Sequence, residues 1–285
     1  MSTSLTKFRR LALEFRKHND ELQTIYSQVV QNVGDRIYWA FKNFFEGRAR
    51  FPKWKKQHSY NSLTYPQYGF NVNPAKGLYL SGFGYVRIFI HRPMLGNVKR
   101  LTIKREADGW YAIFITEREV PHKMQIKEIP LERVRSADLG LDKFATFDDS
   151  TSIEYPEFLR MSEKKIRHLQ HWFSHKHNGS RRSLKLGKML ARLHLHVNRQ
   201  REDFQNKLIN KIFKENDALI LERLNTSAML HNHYLAKSIS DSSWGKFARK
   251  AIFKAESLGK QMIFVDLWHY TVLPQMPPLG TEGTL

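Results

Sequence analysis

The sequence predicts an α+β chain in three parts: a helical N-terminal part, a small β-barrel, and an α/β lobe. Three observations predict it. Apolar residues recur at helical spacing through residues 4–46. Short β-rich runs, punctuated by Gly, Asn-Pro and Asp-Gly, occupy residues 59–120. Beyond them, short apolar runs that read as strands are separated by long amphipathic helices.

The totals narrow the class. A chain of 285 residues with 41% hydrophobic and 13% aromatic residues can bury a core rather than remain disordered. Its net charge is +20. There are 22 basic against 10 acidic residues up to Pro130 and 25 against 17 beyond it, so the excess runs along the whole chain. That distribution suits a long polyanion lying over several parts better than a basic tail on a neutral domain. No apolar run reaches the roughly 18 residues a membrane helix needs. The opening MSTSLTKFRRLALEFRKHNDE lacks the apolar core of a signal peptide. Cysteine is absent, which excludes disulfides and Cys-ligated zinc. The expectation is a cytosolic, nucleoid-associated binder of nucleic acid with no membrane partner.

In the helical part, Leu5, Phe8, Leu11, Phe15, Leu22, Ile25, Val29, Val33, Ile37, Ala40, Phe41 and Phe44 form the apolar stripe of two helices broken around His18–Asp20. The opposite face offers Lys42 and Asn43 to DNA. Gly47 is a C-terminal cap for the second helix. A basic–aromatic patch follows, Arg48, Arg50, Lys53, Trp54, Lys55 and Lys56, in which interleaved aromatics favour base stacking with phosphate contact.

Strands are predicted over Gly77–Ser81, Tyr85–Ile90, Leu101–Arg105 and Trp110–Glu117, after an aromatic stretch Tyr65–Phe70 whose Tyr65 is a candidate nucleic-acid contact. Asp108-Gly109 signals a hairpin. Lys123–Arg133 reads as a linker into the lobe.

The lobe opens with Val134–Asp138 and Lys143–Phe147, a hairpin around Gly140. Helices are predicted over Glu163–Phe173 and Leu184–Phe213. In the second, Leu186, Leu190, Leu193, Val197, Phe204, Leu208 and Ile212 form one apolar stripe. Arg181, Arg182, Lys185, Lys188, Arg192, Arg199 and Arg201 crowd its approach and other faces, and few intrahelical acids answer them before Glu202, which favours a phosphate backbone as partner. Ala218–Glu222 reads as a buried strand, Ser240–Leu258 as a helix ended by Gly259, and Gln261–Leu267 as a last strand. The Pro- and Gly-rich stretch Pro274–Leu285 is expected to be disordered.

Two stretches carry the chemistry. Val134–Phe147 and Asp217–Met229 each set a carboxylate, Asp138 or Glu222, at the end of a strand. Neighbouring strands can bring such residues together over a divalent cation. Mg²⁺ is held by one or two carboxylates plus substrate phosphates, and metal pairs about 4 Å apart drive phosphodiester cleavage. A third carboxylate normally completes that site, and none stands out. His168, His171, His175 and His177, with His231 and His233, lack the ligand spacing of a zinc site.

ADLGLDKFATF resembles the first catalytic segment of a RuvC-type nuclease, an RNase H-like fold, and LILERLNTSAM resembles the second. SRRSLKLGKMLARLHLHVNRQREDFQNKL, LAKSISDSSWGKFARKAIFKAESLGKQMIFVD and FKNFFEGRARFPKWKKQHSYNSLTYPQ resemble corresponding stretches of TnpB, in order, from roughly Ile37 to Asp266. TnpB proteins are transposon-encoded, RNA-guided DNA nucleases related to the type V CRISPR effectors. The resemblance implies a helical recognition part (1–47), a wedge-like β-barrel with linker (48–130), a truncated RuvC-like lobe (131–270) and a tail (271–285). It implies a guide RNA and a target double-stranded DNA read through a short flanking motif. Asp138 and Glu222 would be two of three Mg²⁺-binding catalytic carboxylates.

The departures from TnpB set the finer expectation. Family members carry a β-strand and more helical sequence ahead of the point where this chain starts. After a Val-Asp like Val265-Asp266 they continue into a four-cysteine zinc segment and the third catalytic Asp. Here LWHYTVLPQMPPLGTEGTL follows, with Glu282 its lone acid. Removing one preorganised electrostatic group commonly costs about 10²–10³ in rate. The expectation is a weak or absent Mg²⁺ site, no zinc, residual or no cleavage, and transcriptional repression by occupying DNA. The alternatives are an active endonuclease whose third ligand comes from the tail or another subunit, and a decayed transposon fragment.

Overall fold

The computed structural model describes residues 4–56 and 59–266. It divides into two compact units, Met1–Glu119 and Val120–Leu285. The expected strand end at Leu267 and the tail with Glu282 lie outside the described residues.

In the first unit the helical stripe forms three segments, α1 (Leu5–Lys17), α2 (Asp20–Gln23) and α3 (Ser27–Phe45). The break at His18–Asp20 falls where Asn19 caps α2, its side-chain oxygen accepting from the Leu22 N–H at 3.0 Å. A second break at Thr24–Tyr26 was not signalled by any strong breaker. α1 and α3 pack closely because Gly34 has no side chain; a Cβ there would sit 2.6 Å from the Phe8 carbonyl oxygen. Arg9 clamps the pair through Asp35 at 2.6 and 3.1 Å. Gly47 follows α3 at φ +70°, a conformation suited to glycine.

The strands that follow are β1 (Ser62–Tyr65), β2 (Phe70–Asn73), β3 (Gly77–Leu80), β4 (Gly84–Val86), β5 (Asn97–Arg105) and β6 (Trp110–Glu117). They form two antiparallel three-stranded sheets, β1-β5-β6 and β2-β3-β4, and the predicted closed barrel is not found among the described residues. β4 ends at Val86, so Arg87–Ile90 extends the chain without a ladder that could join the sheets. Tyr65, Leu78, Leu80, Leu101 and Val29 share one core, and Arg36 of α3 donates to the Ser62 carbonyl and the Thr64 hydroxyl. These contacts make the helices and sheets one unit.

The second unit holds β7 (Val134–Asp138), β8 (Lys143–Phe147), β9 (Ser152–Glu154), α4 (Phe158–Ser174), α5 (Arg181–Glu215), β10 (Ala218–Glu222), α6 (Thr226–Met229), α7 (Ala236–Ser242), α8 (Trp244–Ser257) and β11 (Gln261–Val265). The sheet order is β11-β10-β7-β8-β9. β7, β10 and β11 run parallel, while β8 and β9 continue β7 as an antiparallel meander. The core joins Leu219 and Leu221 of β10 to Phe144 of β8, Leu208, Ile209, Ile212 and Phe213 of α5, and Phe247 and Ala251 of α8. The helix predicted over Ser240–Leu258 is two helices. Ser243 lies between them at φ +54°, a backbone turn that stops α7 and starts α8. Gly259 ends α8 at φ +68°, its surroundings too tight for a side chain beside the His122 carbonyl.

The stretch predicted as a linker is laid along this unit. It forms two 3-10 turns, Ile126–Glu128 and Leu131–Arg133, and the Met124 N–H donates to the Gly259 carbonyl at 3.0 Å. At the start of the parallel strands, Asp217 joins Arg133 (bidentate, with Nη2 at 3.1 Å) to Lys260 (2.9 Å). The Arg133 hydrogen bond, outweighing partial burial, holds the Asp217 carboxyl below its ordinary pKa, with Lys260 adding to the effect. This cluster fixes the strand starts and hence the register at their far ends.

Candidate carboxylate site and nucleic-acid surfaces

Parallel pairing decides which residues meet at the C-terminal ends of the strands. Leu221 pairs with Ala137, so the next step sets Glu222 beside Asp138 on one face of the sheet. Each is the last residue of its strand, and this is the edge where open α/β sheets present ligand sites. Asp138 is exposed and Glu222 half-buried. Burial first, and the negative charge of Asp138 second, push the Glu222 carboxyl above its ordinary pKa. Two carboxylates that repel one another across a strand gap form an all-oxygen donor pair suited to a hard divalent cation such as Mg²⁺. The residues fit that ion, and Asp138 and Glu222 are the ones that would hold it. A bound Mg²⁺ would supply charge neutralisation at a phosphate.

Asp266 is a third acid at the same edge, directly after β11, and it faces the other way. Val265 pairs with Glu222, so Asp266, one residue on, projects to the opposite face by strand alternation. There it meets Arg223 at 3.0 Å. Among the described residues, no cluster of three His, Asp or Glu side chains is placed to hold a metal ion. Arg223 follows Glu222 directly in the sequence, where adjacency resembles a local charge pair. The period-2 rule puts the two on opposite faces.

The basic candidates separate by environment. Arg181, Arg182, Lys185, Lys188, Arg192 and Arg199 are exposed along α5. Arg201 is different: its guanidinium pairs with Asp241 of α7, whose side chain is only 6% exposed. That pair closes a small cavity with Tyr155, Phe144, Phe158 and Gln205, so Arg201 is an internal strut rather than a free phosphate ligand. Burial, followed by Asp241, raises the Tyr155 phenol well above its ordinary pKa.

In the first unit, Arg50, Lys53, Trp54, Lys55 and Lys56 are exposed, and Trp54 is fully open to solvent. Arg48 pairs with Glu46, and Lys42 lies 5.0 Å from the Trp39 ring and 3.8 Å from Glu46. Asn43 is half-buried, its carbonyl accepting from the N–H groups of Arg48 and Ala49 at the helix end. Tyr65 corrects the sequence reading. It is fully buried, its hydroxyl donates to the Ser81 carbonyl at 3.0 Å, and burial pushes its pKa up to about 12. Its ring packs near Tyr26 and Phe70, leaving no face for a base.

Three of the histidines make ring contacts along α4. His168 lies 4.1 Å from Trp172, and His171 lies 4.3 Å from His175, along the exposed side of α4.

A five-stranded mixed sheet that lines up two acids at the ends of adjacent parallel strands defines an α/β protein with a paired-carboxylate edge. Comparison with known proteins shows what the chain is similar to. The model described as "OrfB_IS605: Probable transposase" matches residues 118–233, a span that contains both Asp138 and Glu222. Over that span the chain is similar to the TnpB-type transposon proteins that this family model describes. A relative from Escherichia coli (strain K12), "Putative RNA-guided DNA endonuclease InsQ", is 28% identical over 255 residues, covering 84% of this chain and 62% of the relative. A second, "Putative RNA-guided DNA endonuclease" from Streptomyces pristinaespiralis, is 24% identical over 271 residues, covering 93% and 64%. The chain thus spans less than two thirds of the length of these relatives. Among solved structures, a Cas12f1–sgRNA–target DNA complex aligns with TM-score 0.47 at 10% identity, over 84% of this chain and 61% of that one. A CRISPR–Cas12f ternary complex aligns with TM-score 0.30 at 11% identity, over 83% and 60%. Among the described residues no helix is long and apolar enough to cross a membrane.

Proposed function

We propose that this chain is an RNA-guided DNA-binding protein derived from a TnpB nuclease, with a RuvC-like second unit that cleaves weakly or not at all. The guide RNA and the target duplex lie on the exposed cations of α5 and of residues 48–56, and a short flanking motif is read by the protein. The observation that carries the weak-cleavage part is the make-up of the acidic edge. Asp138 and Glu222 converge, while Asp266 is turned to the other face and bound by Arg223. A cation held by two carboxylates without a third ligand is held loosely, so occupancy of DNA, as in transcriptional repression, becomes the output.

The test is to purify the chain with co-expressed RNA and sequence that RNA. Matched duplex DNA is then added with Mg²⁺. Tight, sequence-matched binding without efficient double-strand cleavage is expected; efficient cutting would overturn the proposal. The endonuclease reading is the alternative, favoured by the placing of Asp138 and Glu222 at the ends of adjacent parallel strands. Under that reading the parent cleaves and Asp138→Ala abolishes it.

A further inference from the structure

The pairing that sets Glu222 beside Asp138 continues across the sheet. Asp138 pairs with Thr146 of β8, and Thr146 pairs with Ser152 of β9. Directly opposed residues share a face. Glu222, Asp138, Thr146 and Ser152 therefore form one row over four neighbouring strands. Alternation agrees with this. Ala137, Ala145 and Phe147 enter the core from the other face, while Asp138 and Thr146 are exposed. Every pairing in the row lies inside the second unit.

Neighbouring strands lie about 4.8 Å apart. Thr146 is one such spacing from Asp138 and Ser152 is two, on the side away from Glu222. Over that length a nucleic-acid strand presents more than one phosphate. Among the described residues neither hydroxyl has a hydrogen-bond partner, so both are free to donate. Hydroxyls of Ser and Thr commonly donate to phosphate oxygens, contacts that fix where a strand lies without reading its bases. They carry no charge, so they add nothing to the repulsion between the two acids. Threonine also suits a strand by its branching alone; valine keeps that branching and loses the donor.

We propose that Thr146 and Ser152 are the strand-positioning contacts of the acidic edge. Their hydroxyls donate to phosphate oxygens of a nucleic-acid strand whose adjoining phosphate is held, through a divalent cation, at Asp138 and Glu222. The bound strand thus crosses the sheet from β10 toward β9. This rests on the reading of Asp138 and Glu222 as the cation-holding pair, and it adds the path of the strand and two further residues that hold it.

Binding of a fluorescent oligodeoxythymidine to the full chain, free of guide RNA, is measured by anisotropy with and without Mg²⁺. A variant carrying Asp138→Asn and Glu222→Gln reports what Mg²⁺ does elsewhere on the chain. The Mg²⁺-dependent affinity of the parent beyond that variant belongs to the acidic edge. Thr146→Val with Ser152→Ala should weaken this binding about tenfold, since two hydrogen bonds to a charged acceptor are lost from a solvent-facing surface. Binding without Mg²⁺ should stay unchanged. Thr146→Val alone should show part of the loss and Thr146→Ser, which keeps the donor, none. Circular dichroism equal to the parent's keeps folding out of the comparison. Mg²⁺-dependent binding untouched by Thr146→Val with Ser152→Ala, or Thr146→Ser as weak as Thr146→Val, would overturn the inference. A parent no different from the variant with Asp138→Asn and Glu222→Gln would overturn the cation-holding pair, and the inference with it. Guided, sequence-matched binding is read by its own assay and fails or holds separately.

Discussion

Asp217→Ala tests how the acidic edge is positioned from the other end of the sheet. Asp217 sits at the start of β10 with its side chain 10% exposed, between Arg133 ahead of β7 and Lys260 ahead of β11. Removing one partner of a buried ion pair costs about 3–5 kcal/mol, because the charge left behind is uncompensated. Two features reduce that cost here. Arg133 is 45% exposed and regains water, and Lys260 keeps the Phe213 and Asn216 carbonyls at 2.7 and 2.8 Å. The expected loss is about 2–3 kcal/mol, or a fall in Tm of roughly 4–12 °C for a unit of this size. Thermal unfolding followed by circular dichroism measures it. The pH dependence has a definite sign. The folded-state pKa is lowered, so the stabilisation is present above the ordinary Asp value of about 3.9 and is lost as pH falls through the folded value. The gap between parent and variant should be full at neutral pH and close in acid. A loss below about 0.5 kcal/mol, within the range of an ordinary surface change, or a gap that ignores pH, would refute the reasoning.

Other expectations follow from the same structure. Glu222→Gln should raise Tm at neutral pH without Mg²⁺, because a carboxyl with a raised pKa carries a penalty once ionised; the gain should vanish as pH falls below the ordinary Glu value of about 4.3. Titrating Mg²⁺ into the parent should narrow that difference if the pair takes up the ion. Gly34→Ala should destabilise the first unit by about 1–3 kcal/mol in denaturant unfolding, since its methyl would press on the Phe8 backbone. Replacing Arg181, Arg182, Lys185 and Lys188 by Ser should lower the slope of log affinity against log salt by roughly 3 if each meets one phosphate; an unchanged slope would place the nucleic acid elsewhere.

Where one strong local signal decided an element, the sequence was readable. Short apolar runs ending in acid gave β7 and β10 with their carboxylates at the correct ends, because strand burial and a charged terminus are both visible in five residues. The α5 stripe was visible for the same reason. Features that depend on what lies across the chain were not. Tyr65 reads as an aromatic beside a basic patch, yet the Leu101 strand and Tyr26 enclose it. Arg201 reads as one more cation, and only Asp241, 40 positions on, commits it inward. The Ser243 break hides in a helical stripe because serine tolerates both states. Barrel closure failed because strand-like composition over Tyr85–Ile90 says nothing about whether a partner edge is within reach.

The 35-residue helix α5 has a consequence of its own. Gln205, Leu208, Ile209, Ile212 and Phe213 are sealed in the core, while Leu184 and Met189 near the other end remain 59% and 42% exposed. The helix is clamped at its C-terminal third, is tied at mid-length to α8 through Lys246 and Asn198, and packs further out on α4. Amide hydrogen exchange should be slowest near residue 209 and quicken toward residue 182.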